Sequence, residues 1–282
     1  MNIGFIGAGK VGFSLGRYFA ENGVSVTGYF SSHVQSATEA AKFTGSQVFY
    51  ELSDIVRESD TIFLTLPDVA VRELYGKIRE MDIKGKCLCH CSCAMSAEDA
   101  FPDMRELGAS GYSIHPLFPI SSKYETFKEL HSAFFSIEGS EDRIDEWVSL
   151  FNRLGNGIKV IPGNMKSRYH AGCIMASNLV SALAVQSLKM MKECGFSETE
   201  ALKAFTPLIM SNVKRILAAG PEEAVAGPVE RNELEIVRRH IECMDDDIDR
   251  NMYKAVSRKL ADIVQKKHPE TDYSEMARLL NY

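Results

Sequence analysis

The sequence lacks any cluster of basic residues: its 32 lysines and arginines are outnumbered by 38 aspartates and glutamates, and the formal charge is −6. No basic arm can neutralise a phosphate backbone, so we expect no nucleic-acid partner. No apolar stretch approaches the roughly 20 residues of a membrane span, and Met1 to Gly7 has neither the charged start nor the cleavage site of a signal peptide. We therefore expect a cytoplasmic protein with no membrane contact.

Cysteine is also scarce: the chain has seven, an odd number that argues against a disulfide framework, so we expect reduced thiols. Four of them alternate in one segment, Cys87, Cys89, Cys91 and Cys93. Alternate residues of a strand lie about 6 to 7 Å apart in a line and cannot surround one zinc ion, so we expect a buried strand and no metal site. The alternative is a thiol redox or metal protein, which predicts bound metal or a reactive thiol.

The first half of the chain has the alternation of strands and helices that is typical of an α/β fold. Amphipathic segments separate the early strands, and apolar runs predict strands at residues 2–6, 24–29, 61–66, 86–91, 111–115, 133–138 and 157–161. The run TIFLTL, which ends at Pro67, fits a strand that helices bury on both faces. We therefore predict an N-terminal Rossmann domain with a doubly wound sheet and a parallel centre.

Residues beyond Ile161 predict helices only, because Pro162 and Gly163 break the chain and no later segment resembles a strand. The spacing of Ser197 with Glu200, and of Asn232 with Glu235, is that of an N-cap pair. The predicted helices run from about 166 to 194, from 197 to 220, from 232 onward and from about 247 to 267. The sequence thus predicts a Rossmann domain at 1–163 and an all-helical domain at 164–282.

The segment GAGKVG follows the first predicted strand and precedes an amphipathic helix, which is the context of a dinucleotide-binding fingerprint. In that fingerprint Gly7 permits the tight turn, Gly9 leaves room for the pyrophosphate, and Gly12 lets helix and strand pack closely. Amides at the helix N-terminus then face the diphosphate. The predicted cofactor loop therefore comprises Gly7, Ala8, Gly9, Lys10, Val11 and Gly12.

The end of the second predicted strand indicates which cofactor binds. NAD sites usually have an Asp or Glu there to hold the ribose hydroxyls, but this chain has Ser31, Ser32 and His33. No carboxylate repels a 2′-phosphate, and two hydroxyls and an imidazole can donate to one, so we expect NADP(H). The alternative is that Ser31 and Ser32 only begin the next helix, and the arginine expected near a 2′-phosphate is missing.

Six motifs, in order along nearly the whole chain, resemble one known family. They are GAGKVG, LPD at 66–68, HCSCA at 90–94, IHPLFP at 114–119, YHAGCIMASN at 169–178 and GPVERNE at 227–233. Together they are similar to the bacterial Rossmann-like family with a DUF2520 C-terminal domain. That group of NADP oxidoreductases is related to 6-phosphogluconate dehydrogenase, pyrroline-5-carboxylate reductase and ketopantoate reductase. The resemblance implies a helical domain that carries substrate residues and forms a homodimer. Cys93 departs from the pattern, since the family usually has HxSG there.

Residues that follow the strands are candidates for ligand contact, because ligands bind at the carboxyl ends of the strands in a doubly wound sheet. The candidates are Leu66, Pro67, Asp68 and Ser92 for the cofactor and His115 as a catalytic residue. Each has a structural alternative: Asp68 can cap a helix, the neighbouring His90 can be a buried and hydrogen-bonded histidine, and His115 can anchor its loop.

The helix predicted from Lys166 places Lys166, His170, Ser177 and Ser181 within about 60° of one another, with Asn178 at the edge of that face. Hydride delivery to a carbonyl or imine requires a proton donor, which a desolvated lysine or a histidine provides. We therefore expect His170 or Lys166 to handle the proton in a cleft between the domains. The alternatives are an exposed Lys166 and a packing role for His170. The resembled dehydrogenases have asparagine where this chain has His170, so the chemistry can differ.

Arg231 follows a predicted turn, where its planar fork can hold a substrate carboxylate. The alternative is a surface ion pair with Glu230 or Glu235.

Taken together, the sequence predicts an NADP(H)-dependent oxidoreductase that acts on a small polar substrate through a carbonyl/hydroxyl or an imine/amine pair. A non-catalytic NADP(H)-binding sensor or scaffold protein is the alternative, because a dinucleotide fold does not by itself imply catalysis.

Overall fold

The first half of the chain forms one mixed sheet in the computed structural model, which describes residues 1–281. Within those residues the sheet has eight strands in the order β3-β2-β1-β4-β5-β6-β7-β8. Their bounds are β1 (Asn2–Ile6), β2 (Ser25–Phe30), β3 (Gln47–Phe49), β4 (Thr61–Leu64), β5 (Cys87–His90), β6 (Ser110–Leu117), β7 (Phe134–Gly139) and β8 (Gly157–Val160). The strands from β3 to β6 pair in parallel and β6 pairs with β7 antiparallel. The predicted fold class, a Rossmann sheet with a parallel centre followed by helices, is confirmed.

Helices cover both faces of this sheet because its strands present apolar side chains alternately to each face. Phe5 and Phe63 belong to a buried cluster with Phe19 and Trp147, whereas Ile62 belongs to a second cluster. Burial of each such side chain stabilises the fold by about 1.5 to 3 kcal/mol. The helices of this half are α1 (Lys10–Glu21), α2 (Val34–Thr44), α3 (Leu52–Glu58), α4 (Asp68–Ile78), α5 (Ala97–Ala100) and α6 (Ile144–Arg153).

The second half is helical, as predicted, but its first helix is not continuous. The helices are α7 (Lys166–Ala176), α8 (Asn178–Glu193), α9 (Glu198–Ala219), α10 (Pro221–Ala224), α11 (Leu234–Glu242), α12 (Asp247–Lys267) and α13 (Ser274–Leu279). Ser177 ends α7 with φ −128° and ψ −81°, which are not helical values. The prediction of one helix from 166 to 194 is therefore wrong at this residue, and a face cannot be extrapolated across the break.

Two predicted caps have different outcomes. The amide of Glu200 donates to Oγ of Ser197, and the amide of Ser197 donates to Oε2 of Glu200 at 2.9 Å, so the capping box at α9 is confirmed. The cap at Asn232 is wrong, because its φ of +55° is left-handed and its Nδ2 donates to the carbonyl oxygen of Asp272. Glu233 precedes α11 instead.

The chain divides into two compact units, Met1–Ser177 and the part from Asn178 onward. The first contains the whole sheet together with α7. The second has its own buried cluster, which includes Val229, Val237, Val264 and Met276. The domain boundary at 163/164 stays a prediction.

One segment contradicts the expectation that no apolar stretch is long enough to cross a membrane. Within residues 1–281, Gly163–Glu193 is long and apolar enough by length and composition, with a hydropathy of 1.5 over its best window and no share of that window buried. Length and composition do not by themselves make a membrane span, because a helix that packs in a soluble protein passes the same test.

Candidate active site

The turn between β1 and α1 has the geometry that a dinucleotide requires. Gly7 has φ +106°, and its amide donates to the carbonyl oxygen of Phe30 at 2.8 Å. A Cβ on Gly12 would lie 2.4 Å from the oxygen of Gly7, whereas a Cβ on Gly9 would meet no described atom within 4 Å. Gly12 therefore permits close packing, and Gly9 leaves open space beside the backbone.

That open space lies at the start of α1, where Gly9 is the N-cap and makes no side-chain capping hydrogen bond. Helix geometry leaves the amides of the first turn, which includes Lys10 and Val11, without partners inside the helix. Ala8, which precedes the cap, is buried. The loop therefore offers backbone donors and room for a diphosphate, so its residues fit the cofactor that the sequence predicts.

A cavity of about 470 Å³ lies beside this loop, where β1, β2 and β4 end. Its volume is within the usual range for ligand pockets, about 300 to 1,000 Å³. The apolar part of its wall is formed by Ile6, Phe30, Leu66, Ala70 and Leu74, and the polar side chains are those of Ser31, Ser32, Glu73 and Lys77. An apolar wall with a few polar groups suits a purine nucleoside.

Ser31 and Ser32 lie in the cavity wall, and His33 follows them as the N-cap of α2. The amide of His33 donates to Oγ of Ser31 at 3.3 Å, and Oγ of Ser32 lies 3.3 Å from Nδ1 of His33. The three side chains therefore form one exposed polar group at the end of β2. Their contact with a 2′-phosphate stays a prediction.

The residues that follow β4 and those that follow β5 are joined by a hydrogen bond. Pro67 is the N-cap of α4 and Asp68 is its first residue. Oγ of Ser92 donates to Oδ2 of Asp68 at 3.1 Å and accepts from the amides of Ala94 and Met95. Leu66 alone of the predicted LPD motif lines the cavity among the described residues.

His90 is fully buried in β5. Its Nδ1 accepts from the amide of Ser92 at 3.1 Å, and its Nε2 lies 3.3 Å from the carbonyl oxygen of Ser96. Burial is the main reason that the pKa of His90 falls to about 3, and the positive charge of Lys166 lowers it further. A neutral ring with both nitrogens partnered matches the structural alternative given for this residue.

Lys166, at the start of α7, is a buried lysine of which only 3% is exposed. Its Nζ donates to Oγ of Ser113 at 2.6 Å. Ser113 pairs with His90 on one neighbouring strand and with Glu138 on the other, so these side chains share one face of the sheet. Burial lowers the pKa of Lys166, whereas the carboxylate of Glu138 raises it. The alternative of an exposed Lys166 is therefore wrong.

Tyr169 lies one turn beyond Lys166 and joins it to His115. Oη of Tyr169 lies 2.8 Å from Nδ1 of His115, and Nζ of Lys166 lies 5.5 Å from the centre of the Tyr169 ring. Burial, together with the charges of Lys166 and His170, lowers the pKa of His115 to about 4, so its ring is neutral. Both Tyr169 and His115 are half-buried, so they remain within reach of a ligand.

Sequence reasoning missed Tyr169, Ser113 and Glu138. The spacing of three residues between Lys166 and Tyr169 is a signal that could have found the tyrosine, because such residues share a helix face. The alternation of Ser113 and His115 on β6 is a similar signal. Glu138 could not be found from spacing, since only the antiparallel register of β6 and β7 brings it opposite Ser113.

The alternating cysteines are at least half-buried. Cys87 and Cys89 are fully buried, and Cys91 and Cys93 are partly exposed. Burial raises the pKa of Cys87 to about 11 and that of Cys91 to about 12. Within residues 1–281 no group of His, Cys, Asp or Glu side chains is arranged to hold a metal ion.

Three other candidates differ in their surroundings. Arg231 forms a double hydrogen bond with Glu233, at 2.9 Å for each pair of atoms, so the predicted pairing with Glu230 or Glu235 is wrong. His170 is half-buried on α7, and Asn178 begins α8 in the second unit. The catalytic roles of all three stay predictions.

The parallel sheet, the glycine turn and the adjoining cavity define a dinucleotide-binding protein of the Rossmann type. Residues 2–93 match the family model described as NADP oxidoreductase, coenzyme F420-dependent, and residues 133–260 match the model of a domain of unknown function, DUF2520. The resemblance to the Rossmann-like DUF2520 family is thereby confirmed, and so is NADP(H) as the cofactor. No curated protein matches the chain.

Solved structures share the fold over nearly the whole chain. Protein TM1727 from Thermotoga maritima has a TM-score of 0.75 at 23% identity and covers 94% of this chain and 99% of its own. BF3122 from Bacteroides fragilis, which is described as an NADP oxidoreductase, has a TM-score of 0.72 at 18% identity. The match covers 93% of this chain and 98% of BF3122. An imine reductase from Myxococcus stipitatus in complex with NADP+ has 0.63 at 16% identity, with 100% of each chain covered. At these identities the likeness concerns the fold alone.

Proposed function

We propose that this protein is an NADP(H)-dependent dehydrogenase or reductase that acts on a carbonyl/hydroxyl or imine/amine pair of a small polar substrate. The observation that carries the proposal is the hydrogen-bonded pair of half-buried side chains, Tyr169 and His115, next to the buried Lys166. The likeness to imine reductases supports a C=N bond as one reacting group. Substrate binding between the domains stays a prediction of the sequence.

The bound cofactor supplies or accepts the hydride, and the protein must therefore handle one proton. When His115 carries its proton on Nδ1, it donates to Oη of Tyr169 and leaves the phenolic proton for the heteroatom of the substrate. The same hydrogen bond then stabilises the phenolate that remains. Solvent then returns the proton to Tyr169, because its side chain is only half-buried.

Lys166 acts on the pair of Tyr169 and His115 through its charge. Because its Nζ is held by Ser113 and is nearly inaccessible, it contributes a positive charge and not a direct contact with substrate. A fixed cation near the developing charge stabilises the transition state without reorganisation when the reaction occurs. Glu138, which is buried to the same extent, keeps that cation from being an isolated buried charge.

The test is Tyr169→Phe, assayed by NADPH consumption with a panel of cyclic imines and small ketones. We expect turnover to fall by about 100-fold or more, because general acid catalysis contributes about 10² to 10⁴. The dissociation constant for NADPH should stay within about twofold, since Tyr169 does not line the cofactor cavity. This separation of turnover from binding distinguishes a proton donor from a residue that only stabilises the fold.

The second unit offers a matched control. Tyr253 and His240 also form a pair with Oη 2.8 Å from Nδ1, and their ring centres are 5.8 Å apart, compared with 5.9 Å for Tyr169 and His115. Tyr253→Phe should therefore remove the same kind of hydrogen bond without loss of turnover. Full activity in Tyr169→Phe would contradict the assignment. NADPH binding by the wild type without turnover of any substrate in the panel would favour the sensor hypothesis.

We further propose that the active form is a cytoplasmic homodimer assembled through the second unit. In the described chain α8 buries none of its residues and the 22-residue α9 buries only Ala201. Leu208 and Leu217 of α9 are 66% and 81% exposed, and Val185 of α8 is 67% exposed. So much exposed apolar surface is typical of an oligomer interface. Light scattering should give twice the chain mass, and Leu217→Glu should shift it toward the monomer.

A further inference from the structure

The wall of the cavity beside the glycine turn includes a positively charged side chain that was not predicted from the sequence. Three of its polar side chains, Ser31, Ser32 and Glu73, carry hydroxyls or a carboxylate, and the fourth is Lys77. Lys77 is the one positively charged side chain in the cavity wall among residues 1–281. A site for NADP(H) without the expected arginine therefore has a positive charge from another element of the fold.

That element is α4, and its position explains why the charge reaches the cavity. Leu74 and Lys77 follow Ala70 by four and seven residues, so the three side chains lie within a sector of about 60° on one face of the helix. Ala70 and Leu74 form part of the apolar wall, and Lys77 continues the same stripe one turn further. The stem of Lys77 can thus lie along apolar surface while its ammonium group remains in water.

We propose that Lys77 is the cation that binds the 2′-phosphate of NADP(H) and so sets the preference for NADP(H) over NAD(H). The inference rests on the proposed function only in requiring that the cofactor binds in this cavity. Ser31 and Ser32 supply hydroxyl donors from the end of β2, and Lys77 supplies the charge from α4. Ammonium–phosphate contacts are charge-assisted and are stronger than hydrogen bonds between neutral groups.

Glu73 gives the inference a second test. It lies in the same cavity wall, one turn before Lys77, and its carboxylate repels a doubly negative phosphate. Within residues 1–281 no ion pair joins Lys77 to Glu73, so the charge of Lys77 is available to a ligand. The two residues therefore have opposite effects on NADPH and little effect on NADH.

The experiment is a fluorescence titration with NADPH and with NADH of the full chain and of Lys77→Gln. We expect NADPH to bind about tenfold more weakly to the variant, with NADH changed by less than about twofold. The nucleotide 2′,5′-ADP should lose affinity in parallel with NADPH, because it carries the same phosphate. Glu73→Gln should bind NADPH about two- to fivefold more tightly.

Arg72→Gln is the matched control, because it removes the same charge from the far side of α4, about 140° from Lys77 around the helix. Arg72 does not line the cavity, and its charge acts on Asp99 instead. It should leave the preference for NADPH unchanged. The selective loss in Lys77→Gln should also shrink as salt rises, since exposed charges are screened.

Two results would overturn the assignment of Lys77: unchanged NADPH binding in Lys77→Gln, or equal weakening of NADPH and NADH. Unchanged binding would leave Ser31, Ser32 and His33 as the whole site for the 2′-phosphate. Equal weakening would place Lys77 against a part of the nucleotide that NADPH and NADH share. A wild-type protein that binds neither cofactor would overturn the proposed function as well. These failures are therefore distinguishable within one set of titrations.

Discussion

Two glycines of the same turn should respond in opposite ways to alanine. Gly9 has φ −79° and ψ −173°, an extended conformation that alanine adopts freely, and its Cβ would meet no described atom within 4 Å. Gly9→Ala should therefore change the free energy of unfolding by less than about 1 kcal/mol. The added methyl group would stand where the diphosphate must approach the backbone.

The magnitude of the binding loss follows from the donors that the methyl group displaces. Hydrogen bonds to a charged group contribute about 1.5 to 3 kcal/mol, so the loss of one contact should raise the dissociation constant for NADPH about 10- to 100-fold. Gly12→Ala differs, because its Cβ would lie 2.4 Å from the oxygen of Gly7 and 2.5 Å from Oγ1 of Thr65. That crowding should cost about 1 to 3 kcal/mol of stability and lower the unfolding temperature by roughly 2 to 10 °C.

Thermal unfolding and NADPH titration of both variants measure the two effects separately. Gly9→Ala should melt like the wild type and bind poorly, whereas Gly12→Ala should melt earlier. NADPH binding by Gly9→Ala with wild-type affinity would refute the reasoning, because the diphosphate would then not lie against this turn. A large loss of stability in Gly9→Ala would refute it in another way, by showing that the space beside Gly9 is filled.

The remaining predictions concern buried groups. Alkylation followed by mass spectrometry should label Cys194 and Cys243 first and Cys89 only on unfolding, because burial raises the pKa of Cys89 well above its usual value; rapid labelling of Cys89 in the folded protein would contradict this. The pKa of His90 is about 3 when folded and 6.5 when unfolded, so stability is complete above pH 6.5 and falls toward pH 3, by up to about 1.4 kcal/mol per pH unit. Denaturant unfolding across this range should show a shallower slope for His90→Gln, and an unchanged slope would count against a neutral buried His90.

The Rossmann half was predictable because its signals are local. The glycine turn needs only six consecutive residues, and the central strands are long apolar runs between breakers. The strand β3 (Gln47–Phe49) was missed because it has three residues, of which only Phe49 is buried. A segment so short has no periodicity, and its pairing with β2 is decided by tertiary structure.

The proposed catalytic group was only partly predictable, for a different physical reason. Lys166 and His115 were candidates from the sequence because each lies at a strand end or helix start that the sequence marks. The break at Ser177 has no glycine or proline to announce it, so the face shared with Ser181 could not be tested from spacing. Glu138 required the register between two antiparallel strands, which no single segment encodes.

The break at Ser177 also indicates where this chain can be joined to the helices of a relative to make a chimera. Lys166, Tyr169 and His170 lie on the same side of it as the sheet, in the first compact unit. A chimera joined at 177/178 would keep the proposed proton-handling group intact and exchange only the helices beyond it. A chimera joined at 163/164 would replace Lys166 and Tyr169 along with them. Donor helices from a relative could then alter which molecules are accepted while the acid chemistry stays that of the recipient.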